Sequence, residues 1–154
     1  MNDKERIRGF QIFNDLNLED LESVLQFSRQ RAYKAGDIIL EEADTTSETD
    51  LFLVIRGMVK VELAIQLDES QKSRKRLAVL KDGEVFGEVG LLRGKGRSAR
   101  VAAYSDVTVL RIDQRKLFGH FEANPHLGYI IMRNLAIILS ERLMDANFMW
   151  RDAI

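Results

Sequence analysis

The chain has 154 residues, 45% of them hydrophobic and 31% charged, and its formal net charge is −1. This length suits a single domain spanning residues 1–154, and the near-neutral charge argues against a general nucleic-acid or membrane-surface role. The absence of cysteine excludes disulfides and disfavours a secreted scaffold. The charged N-terminus has no signal-peptide core, and no apolar run approaches the roughly 20 residues of a membrane span. A cytoplasmic domain is therefore expected.

The first 30 residues favour helix. Asn17 is a suitable N-cap for a helix through "LEDLESVLQFSRQ", residues 18–30. Apolar side chains recur there at helical spacing, at Leu18, Leu21, Val24 and Leu25.

From about residue 31 to residue 112 the pattern changes to short strands. "DIIL" predicts one strand, and "DLFLVIRGMVKVELAIQ" predicts two strands broken at Arg56-Gly57. Residues 67–76, "LDESQKSRKR", form a polar loop in this interpretation and are followed by a strand at "LAVL". "RVAAYSDVTVLRI" adds two strands around Ser105-Asp106. Seven or eight short strands predict a mainly β fold, an antiparallel β-roll resembling a jelly-roll barrel, with flanking helices.

The chain returns to helix over about residues 113–149. Asp113 is a suitable cap for one helix, and Asn124-Pro125 for the start of a long second one. The five apolar residues of "LAIIL", 135–139, cover the whole circumference of that helix. The surplus apolar face predicts either a homodimer through this helix or burial between the barrel and the N-terminal helix.

The segment "FGEVGLLRGKGRSARVAA", residues 86–103, combines free glycines with cations and one carboxylate. Gly87 lets an oxyanion approach the main chain at the start of a short helical turn. Arg97 can bind a phosphate through two parallel hydrogen bonds, and Ser98 adds a weaker donor. Glu88 is a poor phosphate ligand but can accept a hydrogen bond from a sugar hydroxyl. A phosphate next to a ribose hydroxyl would satisfy the whole set.

This segment resembles the phosphate-binding cassette of the cyclic nucleotide-binding domain family. The resemblance extends to "YKAGDIILEEAD", "LFLVIRGMVKVEL" and "LKDGEVFGE", in the order typical of the family, and covers roughly residues 10–150. It implies a non-catalytic sensor that binds cAMP or cGMP, without a metal, and signals through its C-terminal helices. It implies the following ligand contacts: the main chain at Gly87 and Val89, the ribose hydroxyl at Glu88, the cyclic phosphate at Arg97, and its oxygens at Ser98 and Ala99.

The purine end is less determined by the resemblance. In relatives a residue of the last helix or beyond covers the base, which suggests Asn147 as a hydrogen-bond partner and Phe148 or Trp150 as a stacking cap. Two departures from the family pattern stand out. Ala43 replaces a usual glycine, in a loop expected to lie away from the pocket. The chain also ends without the helix-turn-helix domain of related transcription factors, so it is expected to be either a stand-alone sensor or a piece of a longer protein.

Other functions are less consistent with the sequence. A cupin-type metal enzyme needs histidines on strands, whereas His120 and His126 lie in the helical tail. For the same reason no Ser-His-Asp set with a base near the mouth of the barrel can be assembled. The remaining alternative is a degenerate fold that has lost its ligand and acts as a dimerising scaffold for a downstream protein partner. The basic stretch "SQKSRKR" is expected to be a solvated loop that could contact an acidic partner.

Overall fold

A computed structural model describes the backbone of residues 2–153 and the side chains of residues 2–147 and 151. In chain order the elements are α1 (Asp3–Arg8), α2 (Leu18–Gln26), β1 (Ser28–Tyr33), β2 (Ile38–Leu40), β3 (Leu51–Arg56), β4 (Val59–Gln66), β5 (Lys72–Leu80), β6 (Val85–Phe86), α3 (Glu88–Arg93), β7 (Arg100–Ala103), β8 (Val107–Ile112), α4 (Gln114–Ala123) and α5 (Pro125–Ala153), with a 3-10 turn at Gln11–Phe13.

The strands form two four-stranded antiparallel sheets. The first has the order β1-β8-β3-β6 and the second β2-β7-β4-β5. The side chains of one hydrophobic cluster come from both sheets and fill the space between them, including Phe52 and Val109 from the first and Val59 and Val101 from the second. The predicted antiparallel β-roll is confirmed, and the two sheets do not close into a barrel.

The first sheet is covered on both faces, which explains the unbroken apolar run of β3. Phe52 and Val54 point to the second sheet, whereas Leu51, Leu53 and Ile55 pack in the other cluster with residues of the helices. A strand buried on both faces needs apolar side chains at every position rather than at alternate ones. The helices therefore form a third layer on the first sheet.

Two predicted boundaries are wrong. The polar loop covers only residues 67–71, because Lys72–Arg76 belong to β5 and pair with residues 62–66 of β4. In this part of the hairpin, β4 and β5 pair only with each other, except that Glu62 also lies opposite Arg100 of β7. The side chains there are mostly polar, and their pattern therefore does not indicate a strand. Similarly, the helix expected through Gln30 ends at Gln26, since β1 pairs with β8 from Ser28 onward.

The predicted helix caps are confirmed. The side chain of Asn17 accepts a hydrogen bond from the Asp20 amide at 2.8 Å, and Asp113 accepts one from the Lys116 amide at 2.9 Å. On α2, Leu21 and Val24 are buried as predicted, but Leu18 is 46% exposed. Helix α5 begins at Pro125 as predicted and runs to Ala153, slightly beyond the expected end at about residue 149.

The long helix α5 is attached to the N-terminal segment by a buried amide. The side-chain nitrogen of Asn134 donates to the carbonyl oxygens of Ile12 at 2.9 Å and Asn14 at 2.8 Å. Within the "LAIIL" segment, Leu135 and Ile138 are buried, while Ile137 remains exposed. In the described part of the chain, this segment is therefore buried only in part, and Ile137 keeps 44% of its surface exposed.

Candidate functional site

A short helix with a glycine at each end forms one wall of the candidate site. β6 ends at Phe86, and Gly87 then adopts a left-handed conformation with φ of 82° as the N-cap of α3. A Cβ atom at Gly87 would lie 2.7 Å from Nη1 of Arg97 and 3.0 Å from the main-chain oxygen of Asp50. Both the backbone conformation and this close approach require glycine. The predicted helical turn after Gly87 is thus confirmed.

Arg97 is buried beneath this turn. The residue is only 5% exposed, and its guanidinium donates to the main-chain oxygens of Gly87 at 3.0 Å and Asp50 at 3.1 Å. Its Nε is buried and has no hydrogen-bond partner among the described residues. Burial lowers the pKa of the guanidinium, and the charges of Asp50 and Glu48 partly offset this effect.

The backbone of Arg97 is fixed by a bridge to Ala43. The Arg97 amide donates to the Ala43 oxygen at 2.6 Å, and the Ala43 amide donates to the Arg97 oxygen at 3.0 Å. As expected, Ala43 does not line the cavity beside Arg97 described below, although its main chain is bonded directly to that of Arg97. The loop in which the sequence departs from the family pattern instead positions the main chain of the arginine.

A cavity of about 530 Å³ opens beside Arg97. Its lining comes from residues 87–90 of the glycine turn, residues 97–99, residues 77–80 of β5, and Arg142, Asp145 and Ala146 of α5, together with Glu84, Phe86 and apolar side chains of the second sheet. This volume lies within the range of about 300–1,000 Å³ that is typical of small-molecule sites. The lining combines main-chain groups of the glycine turn and apolar side chains with two arginines and three carboxylates, which are Arg97, Arg142, Glu84, Glu88 and Asp145.

Glu88 has an internal partner in this structure. Its Oε1 lies 3.4 Å from Nη1 of Arg142, and Nη2 of Arg142 donates to the main-chain oxygen of Val85 at 2.5 Å. One arginine of α5 therefore contacts both β6 and the first residue of α3. Because this pair is largely shielded from solvent, the carboxylate, the arginine and the end of α5 are linked at the rim of the cavity.

Asp50 connects the site to α4. Its main-chain oxygen accepts from Arg97, while its carboxylate accepts from Nε of Arg111 at 2.7 Å and from the Gln114 amide at 3.0 Å. The hydrogen bond to Asp50 raises the pKa of Arg111. Arg97 and Arg111 both lie near the ring of Phe52, with centroid distances of 5.9 and 5.6 Å. The buried arginine and the start of α4 thus share hydrogen bonds to a single residue, Asp50.

The structure brings together all the residues that the sequence assigned to the phosphate and ribose. The lining of the cavity includes Gly87, Glu88, Val89, Arg97, Ser98 and Ala99. Asn147, a candidate for contact with the purine, is exposed and is not among the lining residues. The side chains of Phe148 and Trp150, the other candidates, lie outside the described residues.

Sequence reasoning missed Gly90, Asp50 and Arg142. Gly90 carried a signal, because a glycine inside a helix costs stability and needs a packing reason: a Cβ there would lie 2.6 Å from the Gly96 oxygen. Asp50 and Arg142 carried none, since their contacts with the glycine-rich segment depend on how distant parts of the chain pack.

The described residues give no indication of a metal centre or a membrane span. No group of three or more histidine, cysteine or carboxylate side chains among them could hold a metal ion. His120 instead packs near the ring of Phe27 at 5.8 Å between centroids. In the same part of the chain, no helix combines the length and apolar character needed to cross a bilayer.

Comparison with known proteins gives the family. The family model described as the cyclic nucleotide-binding domain matches residues 30–124, more than half of the chain. The chain belongs to this family, whose domains are regulatory.

Two sequence relatives illustrate the range of proteins that contain similar segments. The chain is 28% identical to the cyclic AMP receptor protein of Thermus thermophilus over 141 residues, covering 92% of this chain and 61% of that protein. It is 33% identical over 133 residues to Glutaminase 2 of Bradyrhizobium diazoefficiens, covering 86% of this chain and 20% of the relative. The chain thus spans between a fifth and about three-fifths of the length of these relatives.

Solved structures confirm the fold. The catabolite activator protein of Thermus thermophilus matches with a TM-score of 0.73 and 26% identity, over 92% of this chain and 62% of that one. A cyclic nucleotide-binding domain from Methylobacillus flagellatus matches with a TM-score of 0.77 over 92% of this chain and 76% of that one; at 21% identity this likeness concerns the fold alone.

Proposed function

We propose that this chain is a sensor domain that binds cAMP or cGMP in the cavity beside Arg97 and transmits binding through α4 and α5. The observation that carries the proposal is the buried guanidinium of Arg97, whose Nε has no partner among the described residues, at the edge of a cavity lined by Gly87–Gly90 and residues 97–99. A cation buried this deeply is costly to keep without an anion, and a cyclic phosphate would supply one.

The lining of the cavity offers a partner for each part of a nucleotide. In this assignment the phosphate lies at Arg97, with Ser98, Ala99 and the main chain of Gly87 and Val89 around it. The ribose hydroxyl donates to Glu88, whose carboxylate stays at the rim of the cavity. The base lies toward the apolar side chains of the second sheet and toward α5, where Asn147 and Trp150 remain the proposed purine contacts.

The link from the ligand to the helices has two routes. Phosphate binding would draw on Arg97, whose hydrogen bond to the main chain of Asp50 leads to Arg111 and the start of α4. A ribose hydroxyl at Glu88 would alter its ion pair with Arg142 and hence the position of α5 over the cavity. A ligand shifts such an equilibrium only as far as it favours one state over the other.

Calorimetric titration of protein stripped of carried-over nucleotide, with cAMP and separately with cGMP, tests the proposal. We expect micromolar or tighter binding of at least one of them. Arg97→Ala should reduce the affinity by about 2–5 kcal/mol, because a buried phosphate would lose its partner, or about thirtyfold or more. Arg93→Ala is the matched control, since this exposed arginine of α3 does not line the cavity.

A loss of less than about threefold for Arg97→Ala would contradict the site assignment. No binding of either nucleotide by folded, stripped protein would favour the second candidate function, a ligand-free dimerising scaffold. The specific observation in favour of that candidate is that Glu88 and Arg97 already have polar partners within the chain. Their internal contacts could hold the fold together without a nucleotide.

We also propose a homodimer through α5. The helix exposes Tyr129, Ile137, Leu143 and Met144, and the small residues Ala136 and Ser140 are exposed on the same helix. A stripe of large and small side chains allows two helices to approach closely and to bury apolar surface in a symmetric pair.

Sedimentation equilibrium of Leu143→Glu tests the dimer. We expect the wild-type protein to be dimeric and this variant to be monomeric, since the glutamate would place a charge in the interface. Leu67→Glu is the control, because Leu67 in the β4–β5 turn is 65% exposed and Leu143 is 63% exposed. A monomeric wild-type protein, or equal association of both variants, would contradict the proposal.

The function we propose is non-catalytic and cytoplasmic, with a downstream protein as receiver of the signal and no role for nucleic acid or membrane.

A further inference from the structure

A second cavity, of about 340 Å³, lies between β1, β8 and the start of α4. Four cationic side chains line it: Arg29, Arg31, Arg111 and Lys116. Only two carboxylates, Asp50 and Asp113, share the lining. We call it the basic cavity. It does not overlap with the lining of the cavity beside Arg97.

The two carboxylates of the basic cavity are already engaged. Asp50 accepts hydrogen bonds from Arg111 and from the Gln114 amide, and Asp113 caps α4 by accepting from the Lys116 amide. Among the described residues, the side chains of Arg29 and Lys116 have neither an ion pair nor a hydrogen bond. The lining of this cavity therefore carries an excess of about two positive charges.

The strand register brings like charges together. Arg29 of β1 lies directly opposite Arg111 of β8, and Arg31, two residues further along β1, faces the same cavity. Like charges at directly opposed positions of an antiparallel pair destabilise it. Charged side chains on an edge strand such as β1 can also serve to prevent aggregation. That role does not require Arg29 and Arg31 to line the same cavity as Arg111.

The start of α4 does not by itself explain an anion site, because the Gln114 and Lys116 amides are already paired with carboxylates. The anion would instead be bound by the cationic side chains. Guanidinium groups match phosphate with two parallel charge-assisted hydrogen bonds, and a lysine adds a point charge. A doubly negative group would balance the excess of about two positive charges, and the volume is at the lower end of the range for small ligands.

We propose that the basic cavity binds a doubly charged phosphate group, either as inorganic phosphate or as the phosphate of a small organic molecule. Arg29 and Lys116 hold it, since the described residues give neither side chain a partner, and Arg111 contributes a third cation. The proposal is independent of whether the cavity beside Arg97 binds a cyclic nucleotide.

The test is a titration of the full chain with inorganic phosphate and, separately, with glycerol 3-phosphate, at constant ionic strength. Binding is monitored by the chemical shifts of the backbone amides in nuclear magnetic resonance spectra. We expect saturable millimolar or tighter binding with the largest shifts at residues 26–31 and 111–116. Tighter binding of the ester would identify an organic phosphate as the ligand, and equal binding would identify the free anion. Shifts confined to residues 86–99 would place the anion only at Arg97 and overturn the proposal.

The decisive variant is the double substitution Arg29→Gln with Lys116→Gln, which should weaken binding by about tenfold or more. The control is Arg74→Gln with Lys75→Gln, which removes the same two charges from the exposed part of β5 and should change the affinity less than about twofold. All four side chains are exposed, and urea unfolding of each variant verifies the fold. Equal weakening in both double variants would mean screening by net charge, and the absence of saturable binding would mean no site; either result overturns the proposal.

Discussion

Gly90 and Gly119 both lie inside helices, and alanine at the two positions should have opposite effects on stability. In an open helical position, Gly→Ala stabilises by about 1 kcal/mol, because glycine loses more backbone entropy on folding. Gly119 of α4 is such a position, since the Cβ that alanine would add meets, among the described residues, no atom within 4 Å apart from the neighbouring backbone of its own helix. Helix propensity alone predicts the same gain at Gly90.

At Gly90 of α3 the surroundings reverse the sign. The added Cβ would lie 2.6 Å from the main-chain oxygen of Gly96 and 3.1 Å from Nη1 of Arg97. The first obstacle is backbone, so α3 or residues 96–97 must shift by several tenths of an ångström. Overpacking of this kind costs about 1–3 kcal/mol; with the upper value and the propensity gain, Gly90→Ala should lose about 2 kcal/mol.

Urea unfolding of the two variants under identical conditions measures the difference. We expect Gly119→Ala to be more stable than the wild-type protein and Gly90→Ala less stable, with a gap of about 3 kcal/mol in the free energy of unfolding. Gly90→Ala should also lower the affinity for any ligand bound at Arg97, because the added Cβ would displace the guanidinium. If both variants gain stability equally, the close packing of α3 on residues 96–97 is refuted.

Two further substitutions test how α5 is attached. Asn134→Ala should reduce the free energy of unfolding by about 2–4 kcal/mol, measured by urea unfolding, because two main-chain oxygens of the N-terminal segment lose their donor in a buried place; a loss below about 0.5 kcal/mol would contradict this role. Arg142→Ala should cost about 1–2 kcal/mol through the loss of the donor to Val85, and amide hydrogen exchange at residues 140–147 should become faster while the exchange of β3 stays unchanged; unaltered exchange there would mean that Arg142 does not hold the helix.

The relation between Glu88 and Arg142 bears on how the site would respond to a ligand. The same carboxylate that we assign to a ribose hydroxyl is linked to the helix that closes one side of the cavity. A ligand that shares the carboxylate with Arg142 would keep α5 in place, whereas one that displaces Arg142 would release it. Hydrogen exchange at residues 140–147 with and without nucleotide distinguishes these two responses.

Much of the fold follows from local sequence. Asn17 and Asp113 provide side-chain oxygens for the first amides of α2 and α4, and Pro125 fixes the start of α5, so these helix starts were predictable. Arg56-Gly57 gave the break between β3 and β4, since Gly57 has a φ of 101° and lies too close to Asp106 for any side chain. That the residues proposed for the phosphate and ribose line one cavity could also be expected, because they are nearly contiguous in the chain.

Only the tertiary structure decided the features that depend on distant partners. The polar residues Lys72–Arg76 form a strand because β4 supplies their hydrogen bonds, and nothing in their own pattern indicates it. The ion pair of Glu88 with Arg142 depends on where a long helix crosses the cavity, and the charge of the basic cavity depends on the β1–β8 register that sets Arg29 opposite Arg111. Local sequence specifies caps, turns and a contiguous loop because these involve neighbours in the chain. Packing and strand register depend on contacts between residues that are far apart in the chain, so they are decided only when the whole chain folds.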